Sequence, residues 1–248
     1  MEKLKIGFFI DTYFPMIDGV VTVVDNYARR LSARNEVTVF CPAYPGKSFD
    51  DSSLPYRVVR CRSVGVPLLD YSLPEPDLDE QFEQKLNEVS LDVVHIHSPF
   101  TVGKAGIKYA RRHGIPVVAT MHSQFRQDIA KMFHLPPLVN ALTHRLARTF
   151  DRCDECWAVN AEIARLFHEE YGCKKMPKVM GNATEMTPVS HLDDAKTAIN
   201  SLCHISPDQK VFLFVGRINS LKNVFFTVDA LAALTKRPTT QAPPAFPH

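Results

Sequence analysis

DVVHIHSPFTVGKAGIKYARRHGIPVVATM, residues 92–121, is the stretch on which the fold turns. Its two ends, DVVHIH and PVVATM, are short runs rich in Val and Ile and apolar almost throughout. That pattern marks strands covered on both faces. Residues 101–113 between them have helical period. A strand, a helix and a second strand in thirty residues make a parallel crossover unit. Working outward, KIGFFI (5–10), EVTVFC (36–41), YRVVRC (56–61), ECWAV (155–159), KVM (178–180) and KVFLFV (210–215) read as further strands. Helices are predicted over 20–34, 77–89, 126–133, 137–152, 160–171, 191–202 and 222–235. The alternation predicts an α/β fold built on a doubly wound parallel sheet, with ligands beyond the carboxyl ends of its strands. Residues 63–76 hold three prolines and read as a long surface loop. The expected organisation is a first domain over 1–186, a connection over 187–207 carrying one helix, the start of a second domain over 208–235, and a disordered tail over 236–248. Four prolines in the last twelve residues argue for that tail.

Composition narrows the function. The chain has 248 residues, 45% hydrophobic and 23% charged, which excludes a wholly disordered chain and a membrane bundle. No run approaches the ~18 apolar residues of a spanning helix. Ile6–Ile10 is too short for a signal peptide's apolar region. Six cysteines without a framework point to a reducing cytosol. Cys153 and Cys156 open an apolar strand and read as buried thiols, since no second pair completes a zinc site. Twenty-nine basic against twenty-seven acidic residues give no case for nucleic acid. The distribution is uneven, however. Lys104 to Arg152 holds nine Lys/Arg against two Asp, which reads equally as a solvated face or as a site for an anionic partner, phosphate or membrane surface. Leu138, Leu142, Leu146 and Phe150 form an i+4 stripe there. It either packs on the sheet or lies at a membrane interface.

The loops after the strands hold the candidate site residues. Asp18 and Gly19 stand just before a helix, where a small residue admits a ligand to the backbone and the helix N-terminus favours anions. The pair is equally an ordinary turn, and one glycine is not the G-x-G-x-x-G dinucleotide fingerprint. His95 and His97, two apart on a strand, share a face. A metal pair there lacks carboxylate or thiolate partners, and hydrogen-bonded histidines at the sheet edge are the favoured reading. His122 opens the loop after PVVATM on the side of the ligand crevice, where it reads equally as a structural histidine or as one that hydrogen-bonds a hydroxyl or assists proton transfer. Ser123 and Gln124 beside it add polarity without a nucleophile elbow. After KVFLFV, Gly216, Arg217 and Lys222 precede the next helix; arginine and lysine there read either as a diphosphate clamp or as part of an ordinary solvated loop. Asp193-Asp194 is not a D-x-D pair and is expected to belong to a surface helix.

Taken in order, DTYFPMIDGV, DVVHIHSPFTVGKAG, PVVATMHSQF, CDECWAVNAEIARLFHEEYG and VGRINSLKN resemble glycosyltransferase family 4 over residues 4–235. Within the family, the opening and the histidine segment look most like bacterial 1,2-diacylglycerol glucosyltransferases and related lipid mannosyltransferases. The resemblance implies a GT-B fold, two Rossmann-like domains across a cleft, of which this chain would hold the amino-terminal half and a truncated second domain. It implies retaining transfer of a hexose from a nucleotide-diphosphate sugar to a hydroxyl, with a glycerolipid as the acceptor considered. By position, His122 would line the sugar-transfer centre, and Gly19, with Asp18 beside it, the loop approaching donor and acceptor. Arg217 and Lys222 match the diphosphate-binding pair. The implied partners are a nucleotide-sugar donor and a lipid or carbohydrate acceptor; the basic middle adds an anionic membrane surface as an expected partner, and no cofactor, metal or nucleic acid is expected. With the cysteine usage and the basic middle, the expected location is the cytoplasm, with peripheral attachment to the inner face of the membrane considered. Two departures stand out. Gly181-Asn182-Ala183 replaces the common P-N-G turn, and the E-x-x-x-x-x-x-x-E segment expected after Lys222 has no counterpart. The 248 residues alone are therefore expected not to catalyse transfer. A catalytically inactive acceptor- or membrane-binding module and a GT-B-type nucleotide-sugar epimerase stay open as alternatives.

Overall fold

The structure, a computed structural model, describes residues 3–65, 72–122, 124–206, 208–216, 218 and 222–235. The expected tail over 236–248 lies outside the described residues. Two units are delimited, Met1–Met186 and Thr187–His248. The first contains, in chain order, β1 (Lys5–Phe9), α1 (Gly19–Ser32), β2 (Glu36–Pro42), β3 (Arg57–Cys61), β4 (Ser63–Gly65), β5 (Ser72–Pro74), α2 (Glu80–Asn87), β6 (Val93–Ile96), α3 (Thr101–His113), β7 (Val117–Met121), α4 (Phe125–Met132), α5 (Pro136–Phe150), β8 (Glu155–Ala158), α6 (Ala161–Arg165) and β9 (Lys178–Val179). Seven of the strands form one parallel sheet in the order β3-β2-β1-β6-β7-β8-β9. The α/β doubly wound fold is therefore observed. Strand order reverses at β1, which pairs with β2 on one side and β6 on the other. A crevice opens at such a reversal, at the carboxyl ends of the two strands.

Burial explains the uninterrupted apolar runs. Phe8 and Phe9 are both fully buried, on opposite faces. Phe8 packs with Ile6, Val39 and Cys41 beneath Val21, Val24 and Ala28 of α1. Phe9 stacks on Phe40 at 4.4 Å and joins Val94, Ile96 and residues of α2, α3, α5 and α6. Each phenyl ring so buried contributes about 2–3 kcal/mol, so strand register is strongly determined.

Helix α3 lies very close to the sheet, and its glycines make that approach feasible. A Cβ on Gly103 would sit 1.9 Å from the Ser98 carbonyl oxygen, and one on Gly106 would sit 2.6 Å from the Phe9 ring. Gly103→Ala is therefore expected to destabilise the protein by about 2–3 kcal/mol, read as a lower urea midpoint. Gly19→Ala is the control. Nothing lies within 4 Å of its added methyl, so its midpoint should hold or rise. Equal midpoints for Gly103→Ala and the parent would refute the close-approach account.

Four expectations need correction. Residues 63–76 are not simply a loop, because β4 and β5 pair there as an antiparallel ribbon. The helix expected over 160–171 passes after α6 into a π-turn, Leu166–Glu170. On α5 the core face is Val139, Thr143, Ala147 and Phe150, whereas Leu138 is exposed and Leu142 and Leu146 are half-buried. The leucine stripe is thus rotated one residue off the sheet. KVFLFV forms no strand, and Leu213 is 84% exposed. No ladder partner exists for it among the described residues of the second unit, and an apolar run without a neighbouring strand cannot become one. That unit contains α7 (Leu192–Leu202) and α8 (Val224–Thr235).

Candidate functional site

The residue after the first strand run, Asp11, organises the crevice. It is only 6% exposed and accepts hydrogen bonds from the backbone N–H of Val102 (2.8 Å) and of Gly103 (3.4 Å). The Thr101 hydroxyl reaches it at 3.1 Å and the Ser98 hydroxyl closer still. The Asp11 N–H donates back to Ser98 Oγ at 3.0 Å. Helix α3 has no side-chain cap of its own from Phe100, so Asp11 caps it from the loop that follows β1. Burial pushes the Asp11 carboxyl above its usual range, against the hydrogen bonds from Ser98, Val102, Gly103 and Thr101. The sequence held one signal of this role, a carboxylate breaking the apolar run KIGFFI, but its partners lie about ninety residues away.

Arg60 performs a similar task on the neighbouring loops. It forms a bidentate pair with Asp51 at 2.7 Å and donates to the carbonyls of Phe14 (2.8 Å) and Pro42 (2.9 Å). The loop between β1 and α1 is thereby tied to the one after β2. At the end of that first loop, Asp18 caps α1, its Oδ1 accepting from Val20 and Val21 N–H at 2.9 Å. Gly19 begins the helix with open space beside it.

Next to this loop three imidazoles stack. His95 and His97 have ring centroids 4.1 Å apart, and His97 and His122 are 5.2 Å apart, at interplanar angles below 30°. Strand alternation places His95 and His97 on the α1 side of the sheet, against Phe8. His95 Nε2 bonds Thr120 Oγ1 at 2.7 Å, and His97 Nδ1 meets His122 Nε2 at 3.0 Å. The Trp157 ring lies edge-on to His95 at 5.1 Å. Both strand histidines are therefore hydrogen-bonded, and each spends a ring nitrogen that metal ligation would need. Among the described residues no group of three His, Cys, Asp or Glu is placed to hold a metal ion.

Burial keeps the stack neutral. It pulls His95 down to about 3, helped by the neighbouring His122. It pulls His97 well below the ordinary imidazole value, with His95 and His122 adding to the effect. His122 falls to about 4, with the Asp18 charge opposing. Asp18 and Gly19 follow β1 and His122 follows β7, so the parallel sheet sets both loops at its carboxyl edge. The structure thus brings Asp18, Gly19 and His122 to one edge of the sheet. Arg217 and Ser123 lie outside the described residues. Lys222 is exposed just ahead of α8 in the second unit. Cys153 and Cys156 are free thiols turned toward the Thr149 and Phe150 carbonyls, buried and half-buried respectively.

Comparison with known proteins adds an independent line. Residues 17–183 match the family described as Glycosyltransferase Family 4. An alpha-monoglucosyldiacylglycerol synthase of Acholeplasma laidlawii is 33% identical over 129 residues, 50% of this chain and 31% of the relative. One of the same name from Streptococcus pneumoniae is 25% identical over 94% of this chain and 53% of its own. A GDP-mannose-dependent alpha-mannosyltransferase of Corynebacterium glutamicum is 25% identical over 97% of this chain and 57% of its own. The chain thus spans from about a third to just over half the length of these relatives. In three dimensions, Anabaena HepE, solved with UDP and glucose, superposes with a TM-score of 0.63 at 16% identity, over 93% of this chain and 58% of that one. This last likeness speaks to the fold alone.

Proposed function

The chain belongs to glycosyltransferase family 4, and from that premise we propose that it serves a retaining transfer of a hexose from a nucleotide-diphosphate sugar to a hydroxyl, with a glycerolipid as acceptor. The observation that carries this reading is that the Asp18–Gly19 helix start and His122 stand at the same carboxyl edge of the parallel sheet, beside the β1/β6 crevice. A helix N-terminus and a neutral, half-exposed imidazole suit a polyhydroxylated, anionic donor. The difficult event is departure of the diphosphate. In this reading Arg217 and Lys222 stabilise its growing charge, and His122 holds a sugar oxygen. The two diacylglycerol synthases among the relatives support the lipid acceptor.

Transfer of radiolabelled hexose from UDP-, GDP- and ADP-sugars to diacylglycerol tests the proposal. Two proteins are compared, the 248-residue chain and one carrying a homologous donor domain in place of residues 208–248. The second should transfer, and His122→Ala in it should lower turnover at least tenfold with little change in melting temperature. The 248-residue chain should be silent, because Val211, Phe212 and Leu213 stand exposed and form no strand among the described residues. Silence of both would favour a binding module, and a free isomerised sugar would favour an epimerase.

Peripheral contact with an anionic membrane forms part of the same proposal. No helix among the described residues is long and apolar enough to cross a membrane. Where α4 meets α5, Met132 (75% exposed) and Leu135 (66%) stand out beside Phe133 and Leu138. A groove of about 240 Å³ lined by Lys104, Ile129, Leu142, Arg145 and Leu146 adjoins α5. Apolar side chains rimmed by cations fit a headgroup boundary, at roughly 1 kcal/mol per basic residue near an anionic leaflet. Sedimentation should show binding to phosphatidylglycerol vesicles that weakens with salt and with Leu135→Asp. Equal, salt-insensitive binding to phosphatidylcholine vesicles would refute it.

A further inference from the structure

One polar atom of the histidine stack is unaccounted for. His97 is 3% exposed, and its Nε2 is buried with no hydrogen-bond partner. Its other nitrogen, Nδ1, lies 3.0 Å from His122 Nε2. Two neutral imidazoles carry two protons on four nitrogens, and exactly one of those protons occupies the shared contact. If His122 donated it, His97 would carry its own proton on Nε2, as a buried N–H with no acceptor. If His97 donates from Nδ1, only a lone pair is stranded at Nε2. A buried orphan N–H is the rarer and costlier defect. The nearby ring of Phe8, with centroids 5.3 Å apart and tilted by 59°, and that of Tyr27, at 6.3 Å, are too weak as acceptors to reverse the balance.

We infer that His97 is a positioning residue which, by donating Nδ1–H to His122 Nε2, holds His122 in the Nδ1–H form and so gives the crevice a hydrogen-bond donor where a general base would otherwise be available. The inference rests on His122 belonging to the transfer site and adds what that residue does there. With Nε2 occupied as an acceptor, the remaining ring nitrogen of His122 points a proton at an electron-rich oxygen, a sugar hydroxyl or phosphate oxygen. It has no lone pair with which to remove a proton from the acceptor. The bond that the second nitrogen of a histidine makes determines which nitrogen keeps its proton. A side-chain donor at position 97 is sufficient for this, and its basicity is not required. Burial, which keeps both rings neutral, is consistent with this arrangement.

Two-bond proton–nitrogen correlation spectra of the 15N-histidine-labelled chain read the protonation of each ring nitrogen directly. Resonances are assigned by comparison with single-histidine substitutions. At pH 7.5, His97 and His122 should both be neutral and protonated at Nδ1. In His97→Phe, His122 should revert to the Nε2–H form that free imidazole side chains prefer. In His97→Asn, whose amide N–H₂ falls where Nδ1 was, His122 should stay protonated at Nδ1. A merely structural role for His97 would predict the same His122 pattern in both variants. His122 protonated at Nε2 in the parent protein overturns the inference, whether or not the variants fold. So does an unchanged His122 pattern in a folded His97→Phe. Because the readout needs no substrate, loss of the transfer reading would leave this result standing, and the converse also holds.

Discussion

Asp11→Ala should lower stability by about 3 kcal/mol, one of the largest losses expected from a single truncation in this chain. The carboxylate collects the N–H groups of Val102 and Gly103 at the start of α3, together with the Ser98 and Thr101 hydroxyls. Removing it strands two buried backbone donors at about 1–3 kcal/mol each, with partial relief from water entering the space. Asp11→Asn should lose less, because one acceptor oxygen is retained while its N–H₂ faces other donors. Urea unfolding followed by circular dichroism measures both. A loss below 1 kcal/mol for Asp11→Ala would mean that α3 is held by its glycine contacts alone. The variant should also disturb the stacked histidines, since Ser98 directly follows His97.

Acid should unfold the protein early, and the histidine stack is the reason. His95 and His122 are pulled from 6.5 to about 3 and about 4, and His97 well below 6.5, mainly by burial. Below pH 6.5 the unfolded chain therefore binds protons that the folded chain refuses, so stability falls as pH falls. The stabilisation from these neutral rings is fully present above pH 6.5 and is lost progressively toward pH 4 and below. Each histidine contributes a slope of about 1.4 kcal/mol per pH unit, so the three together remove roughly 5 kcal/mol between pH 7.5 and pH 5. Asp11 works the other way. Its folded carboxyl takes up a proton at higher pH than in the unfolded chain, which favours the folded state on acidification. One carboxyl does not offset three imidazoles, and 5 kcal/mol is a large share of a typical domain's stability. Urea midpoints at pH 7.5, 6.5, 5.5 and 5 should drop steeply through the series. A flat profile would mean that water reaches and protonates the stack in the folded state.

The elements were legible in the sequence because burial on both faces of a central strand leaves an apolar run that needs no knowledge of neighbours. The predicted residues 101–113 coincide with α3, and His122 was placed by the end of PVVATM. Amphipathic phase was less secure. On α5, the spacing of Leu138, Leu142 and Leu146 was as helical as that of Val139, Thr143 and Ala147, and only contact with the sheet decided which face is inside. KVFLFV shows the converse, an apolar run that forms no strand where none lies beside it among the described residues of its unit. Pairings across the crevice were out of reach for a related reason. Asp11 meets Val102 at a separation of 91 residues, and His97 meets His122 at 25. Those meetings follow from strand order, with β1, β6 and β7 lying side by side so that their carboxyl ends share one edge. The sequence by itself determined which residues stand at strand ends. Which strand ends stand together, and so which donor meets which acceptor, was decided only when hydrogen bonding between distant segments set the order of the sheet.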